Sequence, residues 1–108
     1  MPEQDPLPDG TNFFAVLVTP LTRPQVAALF ADHGWRVRHA SRSSYMVRTD
    51  WCELVLEGAQ PFLLHGPVAA LLTNASRIVQ LCRDAGIACT AECYGEDGDL
   101  LKVLTTHD

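Results

Sequence analysis

Between residues 35 and 58 the chain alternates apolar and polar side chains in three short runs, 35–40, 44–49 and 52–58. A period of two sends successive side chains to opposite faces of a strand. The three runs are therefore predicted to form a meander with one dry face and one wet face. In the third run Cys52, Leu54 and Leu56 share one side, and Glu53, Val55 and Glu57 the other. In the first, Trp35, Val37 and His39 oppose Arg36 and Arg38; in the second, Tyr45 and Val47 oppose Met46 and Arg48. The dry face needs a cover, which two helical stretches can supply.

The first stretch is 23–33. Thr22 or Arg23 precedes it, Pro24 sits in its first turn, Val26, Leu29 and Phe30 recur at helical spacing, and Gly34 ends it. The second carries a broad stripe of Val68, Leu71, Leu72, Ala75, Ile78, Val79 and Cys82, closed by Gly86. Its start has two readings, one at Gly66-Pro67 and one with Asn74 as the cap. Residues 13–19 are apolar on both faces, which suits the middle of a sheet or a place under a partner. Residues 62–65 read as a short edge strand after Pro61. Residues 87–94 alternate again, and Asp97-Gly98 marks a hairpin turn into a returning strand at 100–105. The end, Thr106-His107-Asp108, is expected to fray.

The predicted order is β-α-β-β-β-α-β-β: an α+β fold with a largely antiparallel sheet and both helices packed on one face. It resembles the ferredoxin-like arrangement in layout, with extra strands. Residues 1–11, rich in proline and acid, are expected to form a flexible arm with little to bury, and 12–108 a single domain.

Composition narrows the function classes. The 108 residues are 47% hydrophobic and 19% charged, as in soluble globular proteins. A net charge of −5 with a single lysine, Lys102, argues against a nucleic-acid backbone, whose binding is driven by Lys and Arg. No apolar run approaches the roughly 20 residues of a membrane span, and the first residues do not look like an export signal. The expectation is a cytoplasmic protein whose four cysteines, Cys52, Cys82, Cys89 and Cys93, are thiols.

No cluster assembles a reaction, and neither a catalytic residue nor a cofactor is assigned. Cys89 and Cys93, four apart on a strand, lie roughly 13 Å from each other, too far to share one zinc. Cys52, with Asp50, His39 and His65 as nominal helpers, falls on the dry face, where burial makes a thiol inert. The acidic tip Glu96, Asp97 and Asp99 lacks the ordered spacing of a calcium loop.

The wet face of the meander is the most informative feature. Arg36, Arg38 and Arg48 are expected to stand near Glu53, Glu57 and Glu92 there, with Val55, Met46 and Tyr94 among them. They would serve as cross-strand pairs or as carboxylate forks for a partner. The leading reading is a small non-catalytic interaction module, dimeric, meeting a protein partner, for which a basic one is suitable, through this face or an edge. The alternative is a ligand-binding or enzymatic domain with a pocket between helices and sheet, lined by His39, Tyr45, Trp51 and Cys52.

Overall fold

A computed structural model describes residues 7–106. Most of the expected N-terminal arm (residues 1–6) and the end of the fraying tail (residues 107 and 108, with His107) lie outside the described residues. The elements are β1 (Phe13–Val18), α1 (Arg23–Asp32), β2 (Arg36–Ser41), β3 (Ser44–Thr49), β4 (Cys52–Gly58), β5 (Phe62–Gly66), α2 (Leu71–Asp84), β6 (Ala88–Tyr94) and β7 (Leu100–Thr105). The fold is α+β, with one antiparallel sheet of seven strands in the order β2-β3-β4-β5-β1-β6-β7.

Two-sided apolarity puts β1 well inside this order, between β5 and β6. The expectation of an edge strand at 62–65 is corrected: β5 is the central strand of the seven, hydrogen-bonded to β4 and to β1. Pro61 misled because it looks like a strand breaker. It sits just before the first residue of β5, where its missing N–H removes no ladder bond.

Thr22 and Gln25 close a capping box at the start of α1, with Pro24 in the first turn. His33 Nδ1 bonds the Leu29 carbonyl oxygen at 2.9 Å, and Gly34 takes φ +88°, the left-handed stop. Helix α2 begins at Leu71, at neither of the two expected positions. Beyond Pro67 the chain stays extended because β4 holds it: Glu53 N–H donates to Pro67 O (3.1 Å) and Ala69 N–H to Trp51 O (2.8 Å). Asn74 is buried inside the helix, and its amide donates to Ala69 O. Leu72, expected in the apolar stripe, is exposed.

One core holds the domain together. Phe13, Ala15 and Leu17 of β1, Leu54 and Leu56 of β4 and Cys89, Ala91 and Cys93 of β6 join Val26 and Phe30 of α1 and Ile78, Val79 and Cys82 of α2. Asn12 ties the start of β1 to the approach to α2, donating to Val68 O (2.9 Å) and accepting from Val68 N–H (2.8 Å). Among the described residues no buried side-chain nitrogen or oxygen lacks a hydrogen-bond partner, as expected where an unpaired buried polar group costs about 1–3 kcal/mol.

Candidate functional site

The register of the seven strands lines up one row of side chains across the whole sheet on the side opposite the core: Arg38, Met46, Val55, His65, Phe14, Glu92 and Val103. A second row runs Glu57, Leu63, Val16, Thr90 and Thr105. A third, shorter row is Arg36, Arg48 and Glu53. The middle of this face is apolar and wet. Phe14 is 46% exposed, Val16 40%, Val18 58% and Leu63 44%.

Three rings form a ladder there. His65 stacks on Phe14 with centroids 5.8 Å apart, and Tyr94 meets the other side of Phe14 edge-on at 5.9 Å. His65 is hydrogen-bonded to the Glu57 carboxylate, and Glu92 stands two residues before Tyr94 on β6. Desolvation, and then the Glu92 carboxylate, raise the Tyr94 pKa above its ordinary value. Beside the ladder lies a trough of about 420 Å³, walled by Phe14, Val16, Leu63, His65, Thr90 and Glu92.

Of the charged pairs expected on this face, Arg48 and Glu53 meet, at 3.7 Å. The others are redistributed. Arg36 sits directly across from Arg48 in register and turns to Asp50 in the β3–β4 turn, 3.0 Å away. Glu57 is taken by His65. Glu92, on β6, has β5 and β1 between it and β4, and so lies far from the arginines. Inserting two strands between β4 and β6 separated groups that the meander alone seemed to bring together. Tyr94 does lie on the face, at the ladder's end. The apolar centre, Phe14, Val16, Val18 and Leu63, is absent from the charged residues that the sequence singles out, although its signal is present in the two-sided run at 13–19.

The expected pocket residues do not converge. His39 and Tyr45 pair across β2 and β3, rings 4.5 Å apart, and Cys52 is fully buried beneath the sheet. Trp51 alone of the four borders a groove, of about 580 Å³, between the end of α1, α2 and the β3–β4 turn. Its aromatic wall is Trp35 against Trp51 (5.4 Å), with the Arg77 guanidinium 5.3 Å above the Trp51 ring. Gln80 and Asp84, on the helical wall, are bonded to each other at 2.7 Å.

All four cysteines are buried and unpaired. Burial pushes the Cys52 thiol up, against a weak Thr49 hydroxyl contact at 3.5 Å. The Cys82 thiol is raised by its hydrogen bond with Cys89 and by burial. Native protein is therefore expected to alkylate at least ~100-fold more slowly than unfolded protein, because reaction requires an opening of the core. Fast labelling of Cys52 in the folded state, located by peptide mass, would contradict this placement. Among the described residues no group of three or more His, Cys, Asp or Glu is arranged to hold a metal ion, and no helix is long and apolar enough to cross a membrane.

Comparison with models of known protein families, with curated proteins and with solved structures finds no match to this chain. The functional reading therefore rests on the geometry.

Proposed function

We propose that this chain is a small, non-catalytic, cytoplasmic interaction module, a regulator, adaptor or inhibitor, whose open sheet face receives a protein partner. The observation that carries the reading is the exposure of Phe14, Val16 and Leu63 at the centre of a seven-stranded sheet. Complete burial of such a side chain is worth about 1.5–3 kcal/mol, so covering these half-exposed groups gains roughly 1 kcal/mol each. An exposed ion pair such as Arg48–Glu53 contributes about 0.2–1 kcal/mol and is screened by salt. The apolar centre therefore dominates, and the charged flank selects orientation. The rings of Phe14, His65 and Tyr94 are already packed on one another, so little side-chain freedom is lost on docking.

Behind this reading is a ferredoxin-like layout, with β4-β5-β1-β6 as its four-stranded heart, the β2–β3 hairpin and β7 as additions, and both helices on one face. Support comes from the strand order and from the single core that the buried residues of α1 and α2 share. Four unpaired buried thiols suit a reducing compartment.

A second reading, a small-molecule site, is favoured by the groove at Trp35 and Trp51, whose size suits a small ligand. It ranks below the first because Arg77 is already stacked on Trp51, and Gln80 and Asp84 are bonded to each other.

A photo-crosslinking residue at position 16 tests the proposal in the producing cell. It should give a discrete protein adduct, while the same residue at position 80, on α2, should not. A face that yields no adduct with any protein, itself included, would overturn the reading.

A further inference from the structure

We propose that the occupant of the open face is a second copy of this chain, packed face to face about a two-fold axis running along the strands. This rests on the interaction reading above and names its partner.

Size is the first argument. Seven strands about 4.8 Å apart span about 29 Å, and six residues at about 3.4 Å span about 20 Å, a planar footprint of roughly 580 Å². Side-chain relief raises the accessible area of such a face toward the roughly 800 Å² per partner of a standard stable interface.

Charge is the second. The chain carries −5, yet this face holds Arg36, Arg38 and Arg48 against Glu53, Glu57 and Glu92, three of each sign. A balanced face has no net field to attract a strongly basic partner and none to repel its own copy.

The third is how those charges are laid out. The arginines stand on β2 and β3, and Glu92 stands on β6, at the other side of the apolar centre. Rotation by 180° about an axis along β5 exchanges the two sides, so β2 and β3 of one copy lie over β7 and β6 of the other. In the long row, Glu92 then falls over the other copy's Met46, between its Arg38 and Arg48. Phe14 falls over Val55, and Val103 over the aliphatic stem of Arg38. In the second row Leu63 meets its own copy on the axis and Glu57 falls over Val16 beside it, with the sheets about 10 Å apart as in a sandwich. The symmetry is closed, so association stops at two.

The edges fit this arrangement less well as sites of self-pairing. Arg36, Arg38 and a register shift between His39 and Ser41 blunt β2. On β7 the Thr105 carbonyl accepts from Arg83 at 3.0 Å, which covers one end of that edge.

Light scattering on the purified protein at micromolar concentration should give twice the monomer mass, and Val16→Glu should give the monomer with unchanged far-UV circular dichroism. Should Val16→Glu fail to fold, Val16→Ser serves as the milder variant. Glu92→Arg and Arg38→Glu, made singly, should each raise the dissociation constant about 10-fold or more, and the double variant should return it to within about 3-fold of the parent. A parent that is monomeric up to about 100 µM overturns the second copy, whereas an adduct with another protein at position 16 would leave the docking face standing. A dimer indifferent to Val16→Glu uses another surface, such as the β7 edge, and also overturns the proposal. Failure of the double variant to recover overturns the axis.

Discussion

Gly66→Ala should cost at least ~3 kcal/mol and lower the melting temperature by on the order of 12–24 °C for a domain of this size. Gly66 ends β5 at φ +156°, and a Cβ there would run into the Glu53 carbonyl oxygen, with the Glu53 carbonyl carbon and Leu54 Cα each 3.1 Å away. These are backbone atoms of β4 and have no rotamer to yield. To make room, β5 must move off β4, at the point where the Glu53–Pro67 and Ala69–Trp51 bonds hold the approach to α2. Chemical denaturation followed by circular dichroism measures the loss. An alanine variant within about 1 kcal/mol of the parent would show that the crossing of β5 and β4 is looser than described.

Phe30→Ala is expected to cost about 3–5 kcal/mol, the range for removing a buried phenylalanine ring. Against a total stability of about 5–15 kcal/mol, that leaves the domain marginal. Phe30 is fully buried and packs edge-on against Trp35, ring centroids 4.8 Å apart, and Trp35 packs in turn against Trp51. The loss should therefore also register in tryptophan fluorescence, as a red shift while the far-UV spectrum of the residual fold is retained. A cost under about 1.5 kcal/mol with unchanged fluorescence would mean that the three rings do not act as one packed unit.

Much of the secondary structure was legible because its signals are local. The alternation of Cys52, Leu54 and Leu56 with Glu53, Val55 and Glu57 set both the span and the dry side of β4, and both leucines of that run are fully buried. Thr22, Pro24 and Gly34 framed α1 within a residue at its far end. What could not be read was strand order. A pattern of period two states which side of a strand is dry but not which strand lies beside it. Hence Glu92 seemed close to the arginines, and β5 seemed an edge. The start of α2 was lost for a related reason: Pro67 and Asn74 are both fair helix-opening signals, and the β4 backbone overrode the first of them. At the candidate site, two-sidedness of β1 announced that something must cover it. Only the sheet order revealed that neighbouring strands take its hydrogen bonds and leave its outer side chains in water.

The position of β1 has a consequence for how the chain acquires its shape. Its two neighbours, β5 and β6, both come much later in the sequence, so during synthesis β1 waits longer for its partners than any other strand of the seven-stranded sheet. The β2–β5 meander can zip up from adjacent turns, but the seam at Phe13–Val18 closes only after long loops are drawn in, a slow step by topology. Until then an adhesive, two-sided ribbon stands open, and crowding at that stage is where this chain is most prone to clump.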